Sequence, residues 1–317
     1  MSPLLSVVIP CLDDPAIANT VTSIRETAPD VEIVIVDDCS STNRSFTGFY
    51  GVPNVKVVHN RHRCGSGPSR HIGALYASGE WLLHTDSHMV FYPGWYEVVS
   101  EKLTCGGTTE SIELGKQTVY CGTMIALDQS LANKGEYHGA TLNLIGPDPG
   151  DDRKRQVFEA NWLPPIITTG DIPCVMGACY LVSREWYLTL APHRHLRSWG
   201  KEEEILSVKT WLSGGRVSLL PELKVGHIFR GPKESPPFEI PGADLLYNKL
   251  FALWTLLPFP MVEKLLPLLE KITPRQIWNR ATELIRQDWH LIAAERAESR
   301  FTMSFEDFCG TFGIKIP

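Results

Sequence analysis

The sequence predicts an α/β protein built on an open, mostly parallel sheet with helices on its faces. Three features carry this reading: short uninterrupted apolar runs, amphipathic segments between them, and acidic residues at the ends of two of the runs. Leu4 to Pro10 is the first run, apolar almost throughout, as in a strand buried on both faces. Asp14-Pro15 reads as an N-cap with a first-turn proline, and Ile17, Val21 and Ile24 fall on one helical stripe that Pro29 stops. Val31 to Val36 is a second strand ending at Asp37-Asp38, and Val55 to Val58 is a third. A helix is expected from near Pro68, with Ile72, Leu75 and Tyr76 inward and Gly79 as its C-cap. Trp81 to Thr85 is a fourth strand, which delivers Asp86-Ser87-His88 at its carboxyl end.

From about residue 105 to 175 the signals weaken, and Gly146 to Arg155 reads as a loop. Regularity returns at Val175 to Val182, in a helix over Glu202 to Leu212 ended by Gly214-Gly215, and in a strand over Arg216 to Phe229. Thr273-Pro274-Arg275-Gln276 reads as a capping box, opening a helix with Ile277, Ala281, Leu284 and Leu291 on one stripe. The expected division is a catalytic domain over 1–258 and a helical C-terminal extension over 259–317.

Composition narrows the function. With 43% hydrophobic and 21% charged residues over 317 positions, the chain is neither disordered, collagenous nor a coiled coil. A formal net charge of -6 gives no global positive field toward nucleic acid or an anionic membrane, although a local basic groove stays open. Eight cysteines without a C-x-x-C pair read as reduced thiols in a cytoplasmic protein rather than disulfides or a zinc cluster. Met1-Ser2-Pro3 runs into a strand with no basic region, so no signal peptide is expected. Leu250 to Val262 is broken by Pro258 and Pro260 and falls short of the roughly 20 residues of a spanning helix, so no membrane insertion is expected.

Open parallel sheets bind ligands beyond the carboxyl ends of their strands, where both acidic motifs fall. In Asp86-Ser87-His88, a carboxylate and an imidazole separated by one residue can aim at one ion such as Mn²⁺, though an Asp-x-His can equally cap the next helix. His227 interrupts an apolar strand beside Gly226, which suits a distant third ligand or a satisfied core histidine.

Taken together, these residues resemble the catalytic domain of the polypeptide N-acetylgalactosaminyltransferases, within the family 2 type of GT-A glycosyltransferases. The matching segments are Ser6 to Pro10, Ile35 to Ser40, Asn60, Arg63, Gly65, Arg70, Gly73-Ala74, Ala77, Gly79, Asp86-Ser87-His88 and Gly94-Trp95. Further on they are Met176 to Tyr180, Trp199-Gly200-Lys201-Glu202 with Trp211 and Gly214-Gly215, and Gly226-His227-Ile228-Phe229-Arg230. The resemblance runs from about residue 4 to 255. It implies a GT-A fold, Rossmann-like, and a metal, Mn²⁺ or Mg²⁺, held by Asp86, His88 and His227 against the diphosphate of a UDP-sugar. It further implies that Pro10, Asp38, Arg70, Asp86, Ser87, Trp199 and Arg230 contact or support that donor, with Glu202 and Asp86 in catalytic roles. Transfer to a hydroxyl acceptor with retention is the implied reaction, whereas an acidic pair such as Glu203 and Glu204 would supply the base of an inverting one.

Several residues depart from the family pattern. Lys201 stands at a family glycine, Glu203 at an asparagine and Ile205 at a glutamate, which leaves the donor sugar open. Of Trp162, Trp199, Trp211 and Trp254, only Trp199 is expected to face the site. Arg230 to Gly242 resembles a loop that closes over the donor and excludes water. The acceptor the resemblance implies is a protein Ser/Thr hydroxyl, with a glycan hydroxyl also expected. An alternative is a hydroxymethylated pyrimidine of viral DNA, served by Arg61 to Arg63, Arg153 to Arg155, Arg275, Arg280 and Arg286. Nucleotidyl transfer, non-catalytic sugar-nucleotide binding and oligomerisation through the C-terminal helices complete the alternatives.

Overall fold

The computed structural model describes residues 4–41, 43–104, 115–146, 156–165, 170–231 and 238–317. The basic run Arg153 to Arg155, Cys105 and residues 232–237 of the expected closing loop therefore lie outside the described residues. The first layer is set by apolar strands β1 (Leu5–Cys11), β2 (Glu32–Asp37) and β4 (Trp81–Thr85), whose residues are buried almost without exception. With β3 (Val55–His59) they pair in parallel in the order β3-β2-β1-β4. Beside β4 the sheet becomes mixed. β10 (Cys179–Ser183) runs antiparallel to both β4 and β6 (Thr118–Leu127), and β11 (Arg216–Ile228) lies parallel to β6. β5 (Met89–Phe91) closes the far edge antiparallel to β11, and β7 (Asn133–His138) pairs with β6. A separate ribbon is formed by β8 (Ala140–Ile145) and β9 (Val157–Trp162). Strands β6 to β9 fill the region where sequence signals were weak. β7 and much of β9 are only half-buried, so they lack the long apolar runs that mark the central strands.

Helix α1 (Ile17–Thr27) buries Ile17, Val21 and Ile24 as expected, but its cap is Ala16, and Asp14 serves instead by accepting the Ala16 N–H at 2.9 Å. Helix α2 (Ser66–Tyr76) departs further from expectation. It buries Gly67, Ser69, Arg70, Gly73 and Ala74, while Leu75 and Tyr76 are exposed, and Ala77 rather than Gly79 caps it. The reason is close approach: a Cβ at Gly73 would lie 2.3 Å from Val8 Cγ1, so the small-residue face packs on β1. Helices α3 (Trp95–Thr104) and α4 (Arg184–Leu190) complete the flanks, and α5 (Glu202–Leu212) has the expected bounds.

The remaining helices are α6 (Gly242–Leu256), α7 (Phe259–Ile272), α8 (Arg275–Gln287), α9 (Trp289–Glu298) and α10 (Phe305–Phe312). The expected capping box does not form. Pro274 is the N-cap of α8 and no side chain caps it, and Leu291 belongs to α9 rather than continuing the α8 stripe. Ala281, Leu284 and Ile285 of α8, with Leu265 and Leu269 of α7, join the same hydrophobic core as the sheet. No helix among the described residues is long and apolar enough to cross a membrane.

Candidate active site

The carboxyl ends of β1, β2 and β4 and the turn before α5 open into one cavity of about 930 Å³. Pro10, Asp38, Arg70, Asp86, Ser87, His88, Trp199, Glu202, His227 and Arg230, all expected at the site, line it. Asp86, His88 and His227 come from the end of β4, the segment after it and β11, and their ligand atoms lie within 4.8 Å of one another. Pairing of His227 with Met89 across β11 and β5 produces this meeting. Asp86 Oδ2 lies 3.3 Å from His227 Nε2. Two ligand atoms at right angles on an octahedral ion, each about 2.1 Å from it, sit roughly 3 Å apart, so the spacing fits a small divalent cation. One carboxylate and two imidazoles also suit the borderline softness of Mn²⁺.

Charge around this cluster is arranged from behind. Arg70, buried on α2, places Nη2 2.6 Å from Asp86 Oδ1. Burial opposes the charge on Asp86, but His227 and Arg70 outweigh it and hold the carboxyl far below the usual range. Asp14 accepts a hydrogen bond from His88 Nδ1 at 2.7 Å and another from Ser87 Oγ at 2.7 Å. Arg230 Nη2 approaches Asp14 at 3.9 Å.

The other end of the cavity forms where two turns meet. Gly65, with φ of +100°, touches the Ser198 carbonyl so closely that no Cβ fits, and this brings the start of α2 against Trp199-Gly200-Lys201. Glu202 accepts from Ser66 Oγ and, at 2.7 Å, from the Gly200 N–H, and burial raises its carboxyl above the ordinary value. His193 Nε2 lies 3.0 Å from the Glu202 carbonyl, and its Nδ1 lies 2.8 Å from the Tyr187 hydroxyl. Asp38 accepts from the Cys64 N–H and the Gly65 N–H, each at 2.8 Å, so it organises the loop leading into α2 as well as facing the cavity. Trp199 is exposed at the rim, and Trp162 lines the cavity too, contrary to expectation. Trp211 is core, and Trp254 packs on Phe259 and Trp289.

Residues 6–109 match the family described as glycosyl transferase family 2. Polypeptide N-acetylgalactosaminyltransferase 15 of Mus musculus is 30% identical over 250 residues, which cover 74% of this chain and 37% of that protein. The putative polypeptide N-acetylgalactosaminyltransferase 13 of Drosophila melanogaster is 26% identical over 238 residues, 67% of this chain and 39% of that one. A crystal structure of GalNAc-T7 with UDP, GalNAc and Mn²⁺ superposes with a TM-score of 0.65 at 19% identity, over 98% of this chain and 57% of that one. The chain has the GT-A fold, and its residues 6–109 match glycosyl transferase family 2. It resembles the catalytic domains of polypeptide N-acetylgalactosaminyltransferases and spans about two fifths of the length of these curated relatives. S. aureus TarS 1-349, in complex with UDP-GlcNAc, shares the fold with a TM-score of 0.51 at 13% identity, over 93% of this chain and 88% of that one.

Residues that sequence reasoning missed surround the expected set of this GT-A domain. Asp14, a helix cap by its sequence position, stands just past the end of β1 and lines the cavity. Lys201, Glu159 and Lys249 line the same cavity, and so do Leu269, Ile272 and Ile277 of the C-terminal helices. Nothing in the local sequence around Leu269 or Ile277 distinguishes a cavity wall from ordinary core. Among the basic candidates, Arg61, His62 and Arg63 are all exposed, and Arg63 lies over the Phe238 ring at 5.0 Å and lines the cavity.

Proposed function

We propose that this protein is a metal-dependent glycosyltransferase that moves a hexose or N-acetylhexosamine from a UDP-sugar to a hydroxyl acceptor. The meeting of Asp86, His88 and His227 in a cavity that also holds Arg70 and Glu202 carries the reading. A bound Mn²⁺ there would neutralise charge on the departing diphosphate without a proton transfer, and Mg²⁺ suits the two imidazoles less well. Arg70 keeps Asp86 ionised and in place. Pro10, Asp38, Ser87, Trp199 and Arg230 are assigned to binding or orienting the donor, and Glu202, tied down by Ser66 and Gly200, to the sugar and acceptor face. Retention is favoured because Glu202 is engaged by the Ser66 hydroxyl and the Gly200 N–H, and burial pushes Glu203 up to about 8, which leaves it mostly protonated at neutral pH.

The acceptor is assigned to a protein or glycan hydroxyl. Of the basic residues a DNA acceptor would need, Arg275 and Arg280 already pair with Glu270 and Glu283. The chain is assigned to the cytoplasm because all seven described cysteines are free thiols. Residues 259–317 are assigned to a helical extension, with exposed Phe259 and Trp289 available for self-association. Mass spectrometry of UDP release and sugar transfer, run with Mn²⁺ across a panel of UDP-sugars, peptides, glycans and modified DNA, tests the reading. Turnover with at least one UDP-sugar, abolished by EDTA and restored by Mn²⁺, is expected; undiminished turnover in EDTA would contradict the metal role.

A further inference from the structure

Three hydroxyl side chains of α1 are turned toward one short segment of chain. Thr20, Ser23 and Thr27 form a single stripe on the helix. β5, which follows the metal-ligand segment, pairs with β11 along one edge. Along its other edge the Met89 N–H donates to Thr20 Oγ1 at 2.9 Å and the Phe91 N–H to Ser23 Oγ at 3.1 Å. One turn further on, Trp95 Nε1 donates to Thr27 Oγ1 at 2.8 Å. The helix thus stands where another strand would pair, and its hydroxyls satisfy backbone donors of buried residues.

A hydroxyl has one hydrogen to donate, and its direction separates Thr20 from the other two. Ser23 donates to the Thr20 carbonyl at 2.9 Å and Thr27 to the Ser23 carbonyl at 2.6 Å, both within α1. For Thr20 the corresponding carbonyl, that of Ala16, lies 3.4 Å away, whereas the Ser87 carbonyl lies at 2.8 Å and the Met89 carbonyl at 3.1 Å. Its hydrogen therefore goes to Ser87 while its lone pair takes the Met89 N–H, so one oxygen grips the backbone on both sides of His88. From the opposite side the Ile228 N–H donates to the His88 carbonyl at 3.0 Å. The peptide unit joining His88 to Met89 is thereby held at its N–H by α1 and at its C=O by the strand that carries His227. Asp14, just before α1, holds the His88 ring.

Resting on the metal role given to Asp86, His88 and His227 above, we propose that Thr20 is a positioning residue of the metal centre, fixing the backbone from Ser87 to Met89 so that His88 meets Asp86 and His227. Asp14 sets the ring, and Thr20 sets the main chain from which the ring projects. Loss of the hydroxyl frees that segment and leaves the Met89 N–H without its acceptor, which loosens one ligand of the three. Ser23 makes the same kind of bond to the same strand edge, but to Phe91, three residues past His88. A hydroxyl that served only the fold would matter alike at both positions; a positioning hydroxyl matters to the metal at Thr20 alone.

Calorimetric titration of the whole chain with Mn²⁺ alone tests this, with urea unfolding of each variant measured beside it. Thr20→Val keeps the shape of the side chain and deletes the hydroxyl, and it is expected to bind Mn²⁺ about tenfold more weakly. Thr20→Ser restores the hydroxyl and is expected to bind within about threefold of wild type. Ser23→Ala is expected to lower stability in urea yet keep Mn²⁺ affinity within about twofold. If Thr20→Val does not fold, Thr20→Ala, which leaves room for a water at the Met89 N–H, takes its place with an expected loss of at least about threefold. Wild-type affinity in the folded Thr20→Val or Thr20→Ala protein overturns the proposal. So does a Thr20→Ser protein as weak as Thr20→Val, because the methyl rather than the hydroxyl would then matter, and so does a Ser23→Ala protein as weak as Thr20→Val, because the loss would then follow general loosening. Wild type that binds no Mn²⁺ would overturn the metal reading itself, and this proposal with it.

Discussion

His88 shows how a single residue can be tuned from behind. Asp14 is held at a pKa of about 2: burial works to raise it, but the hydrogen bonds from His88 and Ser87 prevail. An ionised carboxylate only accepts, so the shared hydrogen must sit on His88 Nδ1, and the Nε2 lone pair is left for an ion. Asp14→Asn can present its amide N–H to the ring and favour the wrong tautomer. Removing such a partner costs about 10–100-fold in metal affinity, and titration calorimetry with Mn²⁺ is expected to read a loss in that range. The pH dependence follows from the sign of the shift. The folded carboxyl lies below its ordinary 3.8, so its contribution to stability is complete above that pH and lost as pH falls toward about 2. Acid unfolding of Asp14→Asn is expected to lack that component.

At the scale of elements, the network of Lys201, Glu204, Glu159 and Lys249 binds α5, β9 and α6 to one another. Lys201 adopts φ of +72°, a left-handed conformation that costs a residue with a Cβ roughly 1–2 kcal/mol and that a glycine would adopt freely. The ion pairs offset this strain. Lys201→Met keeps the aliphatic stem but leaves Glu204 buried without its cation, which is expected to lower unfolding stability in urea by about 3–5 kcal/mol. A loss under about 1 kcal/mol would show that the network contributes little. The sequence marked Lys201 as a departure from a family glycine, yet its partners were not legible. Glu159 lies on a half-buried strand without a clear pattern, and Lys249 arrives from a helix 48 positions further along. The buried face of helix α2 is hidden in the sequence for a related reason. Its buried face is made of glycine, alanine, serine and Arg70, so an apolar stripe pointed the wrong way.

The whole molecule joins two kinds of information. The central strands, α5 and the acidic strand ends were legible because burial on both faces demands long apolar runs and because ligand sites fall where such strands end. The contribution of the C-terminal helices was not. Leu269, Ile272 and Ile277 complete the cavity wall, and Lys209 of α5 pairs with Glu295 of α9 in the buried interior. These contacts make the extension part of the body that shapes the site. The same long-range closure brings His227 to Asp86 across β5 and β11, and the proposed chemistry depends on that convergence. Crystals of the protein with Mn²⁺ and UDP, measured for anomalous scattering at the manganese edge, test it most directly. A single ion bonded to Asp86, His88 and His227 and to the diphosphate is the result expected; manganese bound elsewhere, with these three side chains left uncoordinated, would contradict the account.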